Sequence, residues 1–207
     1  MSTRPQPLDG MIRKQPLARS YRVLVLYGGW SGERDVSLES GKGVAAALKK
    51  LGQHVELLDP KDRNAFTVCR DIANSFNGAG PEVIFNILHG RDVEDGVLQG
   101  LLELTNIPYT FSGVSASAVA MDKGISRAMM QRLDIACPPG EVKKLEDYRR
   151  EEQTYPHIIK PLNEGSSLGT SFVRDASEKK RALEAWTFGE QILVEDYIPG
   201  REIQVAV

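Results

Sequence analysis

Apolar residues in this chain gather in short runs separated by polar, glycine-bearing turns. Arg22-Val23-Leu24-Val25-Leu26-Tyr27 is a continuous run ending at Gly28-Gly29, the pattern of a buried parallel strand entering a glycine turn. Val44, Leu48 and Leu51 then recur at i, i+4 and i+7 among alanines, which predicts a helix stopped by Gly52. Val55-Glu56-Leu57-Leu58 predicts a second strand, completing a βαβ unit whose ligand edge lies at the carboxyl ends of the strands. Val83-Ile84-Phe85-Asn86-Ile87-Leu88 reads as a third strand. Val97, Leu101 and Leu104 place one apolar face on the next helix, and Ile107-Pro108-Tyr109-Thr110 is a short fourth strand. Four strands with intervening helices predict an α/β, small doubly wound domain.

Ser112-Gly113 breaks this pattern, and residues 115–133 read as one alanine- and methionine-rich helical stretch containing Met121-Asp122-Lys123, where Lys123 could simply be exposed. Pro138-Pro139-Gly140 marks a joint, followed over residues 145–153 by a charged, surface-exposed stretch. A second unit begins there. It is expected to hold a buried strand at His157-Ile158-Ile159, a polar loop, a strand at Ser171-Phe172-Val173, a helix over residues 177–186 and a strand at Ile192-Leu193-Val194-Glu195. Ile203-Gln204-Val205-Ala206-Val207 begins a further apolar strand on which the sequence stops, so the chain is expected to be incomplete.

Three polar segments fall at strand ends. In Gly28-Gly29-Trp30-Ser31-Gly32-Glu33-Arg34-Asp35-Val36-Ser37 the glycines do not form a dinucleotide fingerprint. Glu33 and Ser37, four residues apart, would share one helix face, or would belong to a solvated helix N-terminus. His89-Gly90-Arg91-Asp92-Val93-Glu94-Asp95-Gly96 sets a histidine at a strand end beside three carboxylates; a lone histidine is more often structural, but this placement makes it a candidate. In the third, Lys160 ends an apolar run, where a cation can reach an anion without being buried unpaired. Gly165, Ser166, Ser167 and Gly169 follow and would let backbone N–H groups approach phosphate oxygens. The lysine precedes the glycines, so this is not a Walker loop, and an ordinary flexible turn is the alternative.

The composition narrows the classes. With 207 residues, 41% of them hydrophobic, the chain can bury a core. A net charge of -2, from 26 basic and 28 acidic residues, gives no global field for nucleic acid. Cys69 and Cys137 lack CxxC spacing and are expected to be reduced thiols of a cytoplasmic protein, not metal ligands. No apolar run suggests a membrane span or a signal peptide, and residues 1–20, with three prolines and four basic residues, read as a disordered leader.

Taken in order, these segments resemble the D-alanine:D-alanine ligases of the ATP-grasp superfamily from Tyr21 to Val207. The series comprises Gly28-Gly29 through Ser37, Ser40-Gly41, His89-Gly90, Glu94-Asp95-Gly96, Gln99-Gly100, Pro108-Tyr109-Thr110, Ser112-Gly113, Met121-Asp122-Lys123, Lys160-Pro161, Glu164 through Gly169, and Pro199-Gly200-Arg201-Glu202. The resemblance implies a Rossmann-like N-terminal substrate domain over residues 21–120, an ATP-grasp lid domain over 121–191, and the first strands of a C-terminal domain over 192–207. It also implies ATP-dependent joining of two D-alanines through an acyl phosphate for peptidoglycan synthesis, with Mg²⁺, by a cytoplasmic homodimer. Lys123 and Lys160 would hold the ATP phosphates under a lid of Glu164, Gly165, Ser166, Ser167 and Leu168. Ser166 would bond toward Glu33, Glu33 would bind the ammonium of the first D-alanine, Ser37 would help hold that side, and His89 would sit near its carboxylate. Glu195 would lie by the adenine and Glu202 on the ribose hydroxyls.

Two residues depart from the family pattern. Val93 stands where glycine is usual, which bears on the placing of His89, and Asp196 replaces a common lysine beside the purine, which would weaken nucleotide binding. The family's Mg²⁺ ligands are expected beyond Val207, so this chain is expected to be inactive alone. D-alanine:D-lactate and D-alanine:D-serine ligation stay open as alternatives within the superfamily. A non-catalytic fragment that binds a small molecule or a partner is the alternative of another class.

Overall fold

The computed structural model describes residues 19–203 and residue 205. Most of the expected leader, and residues 204, 206 and 207 of the expected last strand, lie outside the described residues. The first half folds around a parallel sheet of order β2-β1-β3, formed by β1 (Arg22–Leu26), β2 (His54–Leu58) and β3 (Val83–Asn86). The expected fourth strand is reduced to a single parallel bridge between Ile84 and Tyr109. β1 is central, and Leu24, Leu26, Ile84, Leu88, Leu98 and Leu102 pack around it as one core. Each such side chain removed from water contributes about 1.5–3 kcal/mol.

Helix α1 (Arg34–Lys50) crosses from β1 to β2. Its buried face is Ser37, Gly41 and Ala45, while Leu51, expected on the apolar face, is 69% exposed just past the helix end. Small residues win because the helix lies hard against Tyr27: a Cβ on Gly41 would meet the Tyr27 Cβ at 2.4 Å. After α2 (Ala65–Asn74), helix α3 (Val97–Glu103) is also turned from its expected face. Leu98, Gln99 and Leu102 are buried, whereas Val97 and Leu104 are exposed. The buried Gln99 amide sets this rotation, since its oxygen accepts the Gly96 N–H at 3.1 Å and its nitrogen donates to the Val93 carbonyl at 2.9 Å.

The single helix expected over 115–133 is two. Asp122 leaves the helical conformation after α4 (Val114–Met121) and caps α5 (Lys123–Arg132) by accepting the Ile125 N–H at 2.9 Å. The second half is an antiparallel sheet of order β4-β7-β5-β6, from β4 (Gly140–Lys144), β5 (His157–Lys160), β6 (Ser171–Val173) and β7 (Gln191–Asp196). β4 was not expected. It grows from the proline joint because Gly140 can approach β7, where a Cβ would lie 2.4 Å from the Val194 carbonyl. β7 pairs with both β4 and β5, so residues 191–196 lie inside this sheet with the His157 strand.

The stretch expected to be charged and exposed contains α6 (Leu145–Arg150), whose Tyr148 is fully buried. Tyr148 donates its hydroxyl to Nε2 of His157 at 2.7 Å, and His157 Nδ1 lies 2.8 Å from the Thr154 carbonyl. Burial holds the His157 imidazole below the ordinary histidine value, in keeping with a neutral ring. Helix α7 (Ala176–Glu184) covers the same core, its N-terminus capped by Asp175.

The contact at Gly41 separates two glycines of one helix. Gly41→Ala should lower unfolding stability by about 1–3 kcal/mol through overpacking against Tyr27. Gly43→Ala, at a position with nothing within 4 Å, should raise it by up to about 1 kcal/mol. Thermal denaturation of the two variants checks the opposite signs.

Candidate active site

The site begins at the carboxyl ends of β1 and β3. Gly28 and Gly29, with φ of 74° and 76°, turn the chain from β1 toward α1. Asp59 accepts the Gly29 N–H at 3.1 Å and receives two guanidinium nitrogens of Arg34 at 2.7 and 2.5 Å, while Arg34 also donates to the Gly29 carbonyl. Hydrogen bonding from Arg34 holds the Asp59 carboxyl below the usual carboxylate range. Ser37 is fully buried behind this turn, accepting the Gly28 N–H at 2.9 Å and donating to the Ile87 carbonyl at 2.6 Å. Its hydroxyl is used by the backbone, so Ser37 braces the turn from behind.

Glu33, immediately before α1, is half-buried and accepts a hydrogen bond from the Ser166 hydroxyl. Its other oxygen, Oε2, lies over the Gly90 turn, 3.1 Å from where a Cβ on Gly90 would sit. His89 Nδ1 is 3.2 Å from Glu94 Oε1, and Glu94 Oε2 accepts the Gly90 N–H at 2.8 Å, so Glu94 fixes both the imidazole and the turn. Val93 enters the core at 2% exposure, and the left-handed positions of this loop are Gly90, Asp92 and Gly96. The valine therefore sits at a position that does not require glycine.

Opposite this edge, Lys123 opens α5 and donates its ammonium to the carbonyls of Leu162 at 3.3 Å and Glu164 at 2.5 Å. Burial, and then the nearby charge of Lys160, hold Lys123 below the usual lysine value. Two neighbouring cations of this kind are relieved by an anion placed between them. The loop they border carries Ser166 and Ser167 in consecutive left-handed conformations, φ 47° and 60°. Lys160 Nζ donates to Glu195 Oε2 at 2.5 Å, and Arg127 Nη1 donates to Glu195 Oε1 at 2.6 Å. Arg127 and Glu94 were not singled out from sequence for these contacts. For Arg127 a signal existed, because it lies four residues after Lys123 and so shares its helix face.

Two cavities meet here. The larger, about 520 Å³, is lined by Lys123, Lys160, Ser166, Ser167, Glu195 and Glu202 among others, with Asp196 also on its wall. The smaller, about 410 Å³, has Glu94, Ser112, Ser117 and Met121 on its wall. Lys123, Glu164 and Gly165 line both. Glu33, Ser37, His89 and Leu168 line neither, although Ser166 ties Glu33 to the wall of the larger cavity and Glu94 brings His89 to the edge of the smaller one. Among the described residues no group of three or more His, Cys, Asp or Glu side chains is gathered to hold a metal ion. Among the same residues no helix is long and apolar enough to cross a membrane.

A family profile described as D-ala D-ala ligase N-terminus matches residues 56–112, and one described as D-ala D-ala ligase C-terminus matches residues 120–207. The D-alanine--D-alanine ligase of Methylobacterium radiotolerans is 45% identical over 192 residues, 91% of this chain and 60% of that protein. The D-alanine--D-alanine ligase of Paramagnetospirillum magneticum is 46% identical over 190 residues, with the same coverage of 91% and 60%. The crystal structure of D-alanine--D-alanine ligase from Bacillus anthracis complexed with ATP matches with a TM-score of 0.69 at 26% identity, over 87% of this chain and 60% of that one. The mixed architecture of one parallel and one antiparallel sheet is thus that of these ligases. The chain spans about 60% of the length of the curated relatives it matches.

The Arg34–Asp59 pair gives the site an acid-sensitive brace. Because the folded Asp59 carboxyl is depressed, its stabilisation is complete above the ordinary carboxylate value near pH 4 and is lost as pH falls through the lower folded value. Asp59→Asn should therefore cost about 1–3 kcal/mol at pH 7. Its deficit relative to the unaltered protein should shrink below about pH 4 in urea denaturation repeated across pH.

Proposed function

The chain belongs to the D-alanine–D-alanine ligase family, and from that premise we propose that it works in the ATP-dependent joining of two D-alanines to D-alanyl-D-alanine. The observation that carries this reading is the wall of Lys123, Glu164 and Gly165 shared by the two cavities. A nucleotide in the larger cavity and an amino acid in the smaller would meet across that wall, bringing a terminal phosphate against a carboxylate.

In this reading Glu195 and Glu202 receive the adenine and ribose, while Lys123 and Lys160 receive the phosphates beneath Ser166 and Ser167. Glu33 accepts the ammonium of the first D-alanine, for which a carboxylate already hydrogen-bonded by Ser166 is a fixed partner. His89, oriented by Glu94, faces that substrate's carboxylate. A carboxylate oxygen of the first D-alanine attacks the γ-phosphorus and ADP leaves, giving an acyl phosphate. The amine of the second D-alanine, having lost a proton, then attacks the acyl carbon and phosphate departs. Negative charge gathers on the phosphoryl oxygens in the first step, where the two ammonium groups stabilise it. Magnesium, when bound, would neutralise further phosphate charge.

The protein expressed from its complete gene should release ADP only when D-alanine is present, and release driven by another acid but not by D-alanine would overturn the substrate assignment. D-lactate and D-serine offered as second substrates test the alternatives. Glu33→Gln should raise the KM for D-alanine roughly ten- to a hundredfold with a smaller change in the KM for ATP. Asp196→Lys should tighten ATP binding severalfold by replacing an anion on the wall of the nucleotide cavity with a cation, measured by calorimetry.

A further inference from the structure

Arg127 lies outside the lining of the nucleotide cavity, yet its charge is committed to a residue that lines it. Arg127 is 8% exposed and the Glu195 it contacts is 6% exposed. Nη1 donates to Glu195 Oε1 at 2.6 Å, and Nη2 donates to the carbonyls of Pro138 at 2.8 Å and Gly140 at 3.2 Å. The second carboxylate oxygen of Glu195 is taken by Lys160 at 2.5 Å. One carboxylate therefore stands between two cations, one of them buried on helix α5 and the other on the wall of the cavity.

The charge balance makes the arrangement informative. Lys160 and Glu195 alone would form a neutral pair, in which the carboxylate cancels much of the field that the ammonium offers a polyphosphate. Arg127 neutralises Glu195 from behind, leaving the net positive charge of the trio facing the cavity through Lys160. We infer that Arg127 is a positioning residue for the polyphosphate: it holds Glu195 so that Lys160 keeps both its place and its effective charge. The inference rests on the nucleotide reading proposed above. A competing role is purely mechanical, since the same guanidinium ties α5 to the start of β4.

The two roles separate in a comparison of ATP with adenosine, which lacks the phosphates. Arg127→Gln keeps an amide donor for the Pro138 and Gly140 carbonyls but loses the charge. It should reduce the ratio of ATP affinity to adenosine affinity on the order of tenfold, since any change at the adenine contact of Glu195 weighs on both ligands alike, both affinities read by calorimetry or by competition with a fluorescent nucleotide. Arg127→Lys should restore most of the ATP-over-adenosine preference. In a Lys160→Met background, Arg127→Gln should have no further effect on that preference, because the residue it acts through is gone. Equal loss of ATP and adenosine, or an effect that simply adds to that of Lys160→Met, would overturn the positioning role. If Arg127→Gln unfolds at the assay temperature, Arg127→Lys decides alone, and an adenosine deficit equal to its ATP deficit rejects the inference. Failure of the unaltered chain to bind ATP would remove the nucleotide reading and this inference together.

Discussion

A carboxylate buried at the end of a central strand is tolerable only where cations meet it, and Glu195 is such a carboxylate. Its two oxygens are claimed by Arg127 from α5 and Lys160 from β5. Because β7 lies between β4 and β5, this trio fixes the end of β5, the loop that follows it and the approach of α5 to the sheet. Lys123, one turn before Arg127, is thereby set where its ammonium bridges two carbonyls of the Lys160 loop. The cations of the site are arranged by one buried negative charge.

The loop above them shows what that anchoring supports. Ser166 and Ser167 are left-handed without being glycine, a conformation that costs on the order of 1–3 kcal/mol per residue and needs surroundings that enforce it. Lys123 grips the loop's first carbonyls, the Ser166 hydroxyl reaches Glu33, and Gly169 packs so closely that a Cβ would meet the Phe188 ring at 2.4 Å. The loop is thus held at its start, its crest and its end, and the crest contact joins the two halves of the chain. Glu33 in turn depends on the Gly28–Gly29 turn, which Arg34, Asp59 and Ser37 brace through the backbone.

Sequence periodicity located β1 and β7 because their continuous apolar runs, residues 23–26 and 192–194, have few alternatives to burial on both faces. Helix faces were less legible. In α1 and α3 the buried stripe is offset from the largest apolar residues, toward Gly41 in one and the bonded amide of Gln99 in the other. The charged stretch around Tyr148 concealed a fully buried side chain because the other α6 residues, Leu145 aside, are Glu146, Asp147, Arg149 and Arg150, which read as solvated charge. β4 was invisible for a related reason: Glu141, Lys143 and Lys144 give it no apolar signature, and only its hydrogen bonds to β7 make it a strand.

The sequence by itself determined the α/β class, most of the strands, and the ordered motifs that carry the family resemblance, since these depend on local composition and spacing. The tertiary structure alone decided that Ser37 faces the backbone and that Arg127 stands behind Glu195, while the hydrogen bond of Glu33 with Ser166, 133 residues apart, was expected only through the family resemblance and not from local pattern. The reason is physical. Local pattern fixes the period of burial along an element, but which distant partner satisfies a buried charge or hydroxyl is set only when the elements pack.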